Sequence, residues 1–220
     1  MRRLSTTSYA LLGMMASHDR TAYALIRQME RSLGYMWPRA ASGVYLEPRA
    51  LLAHGLVQAT DVLDSKRIRA RYSITDRGRE ALADWVAKPS ARSVFESEGA
   101  LKLIFADIST KTDAMRIVDD IAEDARARNT QLLDILADYT AGRGTYPDRP
   151  HVVALTARLY HEHYAAMNRW SEWARAEIDR WPATDHAAAH LGQSIISDSR
   201  RAFGEERLAQ KASNDKPTTG

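Results

Sequence analysis

The sequence predicts a mainly helical protein with one small antiparallel ribbon in its N-terminal part. Three observations predict it. Apolar residues recur at helical spacing through most of the 220 residues. One stretch alternates at every second position instead, with Ile68, Ala70, Tyr72 and Ile74 on one side and Arg67, Arg69, Arg71 and Ser73 on the other. Directly before it, the helix-like SGVYLEPRALLAHGLV stops at Gly55, and an extended run opens at Leu56 and breaks at Asp64-Ser65. Helix, tight stop, strand, basic turn and strand is the order of a winged helix-turn-helix, here with a two-stranded wing.

The elements follow in order. Ser5, Thr6 and Thr7 offer caps for a helix to about Ser17 that buries Leu11, Leu12, Met14 and Met15. Thr21 caps a second helix whose apolar stripe is Ala22, Leu25, Ile26, Met29 and Leu33, closed by Gly34. Pro38 suits the first turn of a third, where a missing N–H costs nothing. In that third helix Val44, Pro48, Leu51 and Leu52 should face inward and Ser42, Tyr45, Arg49 and Ala53 outward. After the ribbon, Thr75 or Asp76 caps a helix from Arg77 to Ala87 that buries Leu82, Trp85 and Val86, and Pro89 marks a domain boundary.

The remainder reads as an all-helical domain. Helices are expected over about Val94–Asp107, over Asp113–Tyr139 behind a Thr112 cap, over His151–Trp181, and over Asp185–Phe203. The inward side of the Asp113–Tyr139 helix should be Ala114, Ile117, Val118, Ile121, Ala125, Leu132 and Leu136. In the next one, Val152, Leu155, Leu159, His163, Ala166, Trp170 and Trp173 are spaced by three and four, as in a helix packed along another at a shallow angle. About ninety residues seldom bury so long a seam, so a homodimer is expected. The expected division is a winged domain over 1–90, a helical dimerisation domain with a possible effector site over 91–203, and a flexible tail over 204–220.

Charge sharpens this division. Residues 1–90 hold 14 Lys/Arg against 8 Asp/Glu, and residues 91–220 hold 17 against 20, so a basic half precedes a slightly acidic one. No apolar run is long enough to cross a bilayer, and Met1-Arg2-Arg3 is not followed by a signal-type cleavage site. The expected location is the cytoplasm, with no membrane partner. The chain has no cysteine, which excludes disulfides, thiolate metal sites and cysteine nucleophiles. His186 and His190 have the i, i+4 spacing of a metal pair but no third ligand in sequence, and His161 and His163 point to different helix faces. Neither a phosphate-binding glycine loop, a nucleophile elbow nor a zinc helix occurs. The expectation is therefore no metal, no cofactor and no enzyme.

The partner indicated is double-stranded DNA. A helix fits the major groove, and a basic ribbon reaches flanking phosphates. Arg39, Ser42, Tyr45 and Arg49 are the candidates on the groove-facing helix: arginine can pair bidentately with guanine, and hydroxyls hold phosphates. Tyr45 could alternatively be a core residue. Lys66, Arg67 and Arg69, on or beside the wing turn, suit phosphate contact or minor-groove insertion. Tyr160, Tyr164, Trp170 and Trp173, with Trp181 beyond them, could line a site for a flat or cationic effector, or could simply be packing.

Several segments resemble the PadR family of transcriptional regulators: LSTTSYALLGMM, TAYALIRQME, SGVYLEPRALLAHGLV and RARYSITDRGREALADWVA, with ESEGALKLIFAD and MNRWSEWARAEIDRWP resembling the helical C-terminal region of its longer members. The resemblance implies a winged domain that binds inverted-repeat operators as a homodimer. It also implies dimerisation through the C-terminal helices together with the first helix, and repression relieved by a small aromatic or cationic effector. A departure from the family pattern is Pro48, where many members carry leucine. An interior proline removes a helix hydrogen bond, so the third helix should either bend at Val44–Pro48 or restart near Pro48. The competing reading is a dimeric small-molecule- or partner-binding protein on a winged scaffold that does not read DNA.

Overall fold

Helix α1 (Thr6–Met15) opens a computed structural model that describes residues 3–38, 41–64, 67–184 and 186–214. Ser5 caps it with a reciprocal pair of bonds, its hydroxyl accepting from the Ser8 amide while the Ser8 hydroxyl accepts from the Ser5 amide. A two-residue strand β1 (Arg20–Thr21) leads into α2 (Ala22–Leu33), which Thr21 caps as expected. The third predicted helix is two helices, α3 (Ala41–Tyr45) and α4 (Glu47–Ala53). Pro38 is not helical, and α4 restarts behind Leu46, placing Pro48 in its first turn, where no intrahelical partner for an N–H is required. Pro48 thus splits the helix rather than kinking it.

His54 and Gly55 end α4. Gly55 has φ +68°, its amide donates to the Leu52 carbonyl, and the Leu56 amide donates to that of Leu51. This is the left-handed glycine stop, with two otherwise orphaned carbonyls satisfied. Strands β2 (Val57–Asp64) and β3 (Arg67–Ile74) pair antiparallel from Val57↔Ile74 to Asp64↔Arg67. The sheet has three strands rather than two, because β1 pairs with β3 at Arg20↔Tyr72 and Thr21↔Arg71. Helix α5 (Asp76–Ala87) follows, capped by Thr75.

By packing, the chain separates into two units. One comprises the chain up to Phe95 together with Ala127–Tyr164; the other comprises Glu96–Arg126 and the chain from Ala165 onward. The first is built on Leu11, Leu12, Met14, Met15, Leu25, Met29, Val44, Leu51, Leu56, Val57, Tyr72 and Ile74, all buried, so the sequence-predicted core of the winged part is largely the observed one. Three residues expected inside lie outside. Leu52 is exposed at the edge of the buried side of α4, Val86 is exposed near the end of α5, and Trp85 is only half-covered, stacking on Tyr9 at 5.0 Å between ring centroids.

The second half is helical, with shifted boundaries. Helix α6 (Glu98–Ile104) starts later than predicted, because Ser97 supplies the cap, and a short 3-10 turn (Ala106–Ile108) ends the segment. Helix α7 (Lys111–Thr140) is capped by Thr110, not Thr112: the Thr110 hydroxyl accepts from the Asp113 amide, and the Asp113 carboxylate accepts from the Thr110 amide. The Arg116 guanidinium, and then Thr110, hold the Asp113 carboxyl below its usual range. Helix α8 runs Pro150–Asp179, and after a 3-10 turn at His186–Ala188, α9 covers Ala189–Asn214. α9 continues through Gly204, since EERLAQKA is strongly helix-forming and one interior glycine costs only ~1 kcal/mol.

The largest revision concerns α8. Its buried residues are Ala157, Tyr164, Ser171, Ala174 and Ile178. The predicted inward seam is the other face: Val152, Leu155, Leu159, Ala166, Trp170 and Trp173 are all exposed within the single chain. Small residues explain the choice in the second unit, where Ala174 and Ile178 pack with Ala114 and Val118 of α7, letting the helices approach closely. No helix among the described residues is long and apolar enough to cross a membrane.

Candidate DNA-binding surface

The surface is built on α3, α4 and the ribbon. Val44, Glu47, Pro48 and Leu51 face the core, which turns Ser42, Tyr45, Leu46 and Arg49 outward. Ser42, Tyr45 and Arg49 keep the three-and-four spacing of one helical side although the helix restarts between them. Tyr45 is half-exposed, which removes its alternative as a core residue. Arg39, the fourth candidate on this segment, lies outside the described residues.

Glu47, which the sequence did not mark, anchors the restart. Its side chain is buried and accepts a hydrogen bond from the Ser8 hydroxyl of α1. A buried side-chain hydrogen bond is costly to leave unmade, so the presenting segment is tied to the domain core at the residue where it restarts. Pro48 adjoins this anchor. Replacing Pro48 by leucine would permit one continuous helix and change the angle between the segment carrying Ser42 and Tyr45 and the one carrying Arg49. The expected result is a changed base preference in a selection from random duplexes; altered stability with the same preferred sequence would show that the restart does not set the aim.

On the ribbon, the outward side of β3 carries Arg69 and Arg71. The Arg69 guanidinium lies 5.8 Å from the ring centre of Tyr23, an exposed residue of α2. A cation held over an aromatic face keeps its charge and loses some of its freedom. Arg67 begins β3 opposite Asp64, and Lys66 lies outside the described residues. Sequence reasoning left Arg71 and Tyr23 off the candidate set. Arg71 was visible in the alternation, but its place opposite Thr21 depends on β1, and two residues are too few to show a period.

The aromatic candidates divide between the units. In the first, Tyr164 is buried and its hydroxyl donates to the Tyr35 carbonyl, while Tyr160 meets Tyr35 edge-on at 5.4 Å and Tyr164 at 6.1 Å. His163, flanked by Phe95 and Tyr164, completes the cluster. Burial raises the Tyr35 phenol above its ordinary pKa. Trp170 and Trp173 belong to the second unit and are partly exposed, while Trp181 packs on its core. Among the described residues no group of histidines and carboxylates is arranged to hold a metal ion.

Comparison with known proteins places the chain in a family. Residues 11–84 match the Transcriptional regulator PadR-like family. A Mycobacterium tuberculosis protein, Rv1176c, described as a probable transcriptional regulator, is 30% identical over 139 residues, 63% of this chain and 71% of that protein. The negative transcriptional regulator PadR of Bacillus subtilis is 26% identical over 180 residues, 78% of this chain and 97% of that one. Among solved structures, Bacillus subtilis PadR in complex with operator DNA superposes with a TM-score of 0.65 at 21% identity, covering 79% of this chain and 99% of that one. The same protein in complex with p-coumaric acid gives 0.61 at 20% identity, covering 80% and 100%. These relatives are regulators rather than enzymes, and the chain belongs to the PadR-like family of transcriptional regulators.

Proposed function

We propose that this protein is a cytoplasmic, homodimeric repressor that binds an inverted-repeat operator. The observation that carries the reading is the outward row Ser42, Tyr45 and Arg49 on a segment locked to the core, followed in the chain by a ribbon that presents Arg69 and Arg71. The exposed α8 face supports the dimer: Leu155 and Leu159 are aliphatic, on one helical side and largely exposed. Two copies would set two presenting segments about one helical turn of DNA, ~34 Å, apart. Arg49, and Arg39 with it, would read base edges while Ser42 and Tyr45 hold phosphates. Lys66, Arg67 and Arg69 would contact the backbone or enter the minor groove. In Bacillus subtilis the relative PadR is a negative regulator and has been solved with operator DNA, which supports the operator-binding part of this reading.

A small aromatic effector fits the same reading. A mostly apolar hollow of about 260 Å³ is lined by Ile26, Met29, Trp37, Val44 and Gln131. Val44 is the buried residue of α3, so a molecule seated there would touch the inner side of the DNA-presenting segment. Tyr160 offers aromatic surface elsewhere in the same unit, and Trp170 and Trp173 in the other, while the buried Tyr164 would back Tyr160 rather than meet a ligand directly. Such a ligand shifts the protein only through different affinity for the DNA-bound and released arrangements.

The deciding experiment is protection of the protein's own upstream DNA, with selection from a random duplex pool beside it. Protection of an inverted repeat, lost as salt rises, supports the reading; uniform binding to all sequences, or none, favours the partner-binding alternative. Titration of small aromatic acids into the complex then tests release. Within this reading, Lys66→Ala with Arg67→Ala should weaken all duplexes alike and flatten the salt slope by roughly 1–2 units. A loss confined to one base position would contradict a phosphate role for the wing.

A further inference from the structure

The tip of the wing carries an aliphatic pair that the cationic reading leaves unexplained. Leu63 of β2 and Ile68 of β3 are direct cross-strand partners, and they are 79% and 74% exposed. By the two-residue period they lie on the same face of the ribbon as Tyr72 and Ile74, which are buried. That face therefore starts in the core and leaves it. β1 reaches only Arg71 and Tyr72, so beyond Arg71↔Thr60 the ribbon has two strands, and neither Leu63 nor Ile68 packs on the core.

Stability of the chain does not account for the pair. A solvent-exposed hairpin end loses nothing by being polar, and an exposed aliphatic pair at the two-stranded end of a sheet invites association. The position calls for an occupant that accepts apolar contact and tolerates a cationic surround. The opposite face of β3 presents Arg69 and Arg71, a charge pattern complementary to a polyanion. Asp61, two residues before Leu63 and on its face, is exposed and would repel phosphates, which confines close approach to the tip.

We infer that Leu63 and Ile68 form an apolar wedge that packs against deoxyribose and base edges in the minor groove, while the arginines on the other face hold the flanking phosphates. The floor and walls of that groove are its least charged surface, and apolar side chains inserted there are a recurrent means of gripping duplex DNA. This inference rests on the DNA-binding reading and deepens it. The wedge contributes affinity without neutralising a phosphate, so it carries no counterion release.

The test uses the full-length protein and the duplex recovered by selection with the wild type. Two double variants are compared: Leu63→Thr with Ile68→Thr, which keeps strand propensity and removes apolar surface, and Leu63→Val with Ile68→Val, which keeps both. The threonine variant should melt at the wild-type temperature and bind with a Kd about tenfold higher, at an unchanged slope of log affinity against log salt. The valine variant should bind within about threefold of wild type. Equal affinity of the threonine variant and wild type overturns the wedge, as does a loss of affinity accompanied by a shallower salt slope. Loss of self-association with DNA binding intact assigns the pair to a protein contact and also overturns it. If the wild type binds no duplex, the DNA-binding reading itself falls, and the wedge falls with it.

Discussion

If the proposed homodimer forms through α8, replacing Leu155 and Leu159 by glutamate is expected to convert it to monomers and to reduce affinity for the proposed operator by about 10²–10⁴-fold. Both side chains project from α8 into solvent in the single chain, 73% and 64% exposed, so neither substitution buries a charge within the monomer. In a dimer seam the same carboxylates would be desolvated against a like-charged copy, a costly arrangement. The loss of affinity follows from geometry rather than from any lost DNA contact. When two half-sites are held by one rigid dimer, the second engagement is intramolecular, and breaking the dimer forfeits that effective concentration. Sedimentation should show the change in mass, and the monomer's thermal midpoint should be insensitive to the pair. A dimer that survives both substitutions would place the seam elsewhere; a monomer that binds the operator as well as wild type would remove the need for two-fold symmetry.

That face of α8 also shows what the sequence made legible. The spacing of Val152, Leu155, Leu159, Trp170 and Trp173 identified a real apolar face, but not which way the face pointed. Two apolar sides compete on this helix, and the alanines at 157 and 174 win the interior because they let another element come close. Periodicity scores bulk, and close packing rewards its absence. The winged part was clearer, since Leu25, Met29, Tyr72 and Ile74 carry strong signals of period and chirality-compatible turns lie between them. What escaped was short or non-local: β1, at two residues, and the Ser8–Glu47 bond across 39 positions. Of the candidate site, Ser42, Tyr45, Arg49 and Arg69 were named from chemistry and lie on outward-facing positions or on the ribbon's cationic side. Glu47 was missed because a carboxylate beside a proline reads as surface until the helix is known to restart there.

Gly78→Ala is expected to lower the thermal midpoint by roughly 4–16 °C. Gly78 is buried in the first turn of α5, and a Cβ built on it would lie 2.1 Å from the Leu56 carbonyl oxygen and 2.8 Å from Ile74 Cγ1. The isoleucine tip could shift; the Leu56 backbone could not without further loss. Its carbonyl accepts from the Thr75 amide at 3.1 Å, while the Thr75 hydroxyl donates to the Gly55 carbonyl at 2.9 Å and accepts from the Gly78 amide at 3.1 Å. One residue thus ties the stop of α4 to the start of α5, across the base of the wing. Forcing a methyl into this joint costs about 1–3 kcal/mol in overpacking and about 1 kcal/mol for the hydrogen bond it displaces. For a chain of this size each kcal/mol is worth about 2–4 °C. Gly13→Ala is the matched control. Gly13 lies inside α1, and the position its methyl would take has nothing within 4 Å, so alanine there should raise stability by about 0.5–1 kcal/mol. Opposite signs at the two glycines would locate the cost in the joint rather than in glycine replacement as such. Because the joint also fixes where β2 leaves α4, the Gly78 variant should lose operator affinity well below its melting point. Wild-type melting with wild-type binding would mean that Leu56 and Gly78 do not meet, and that the wing is hinged rather than fixed.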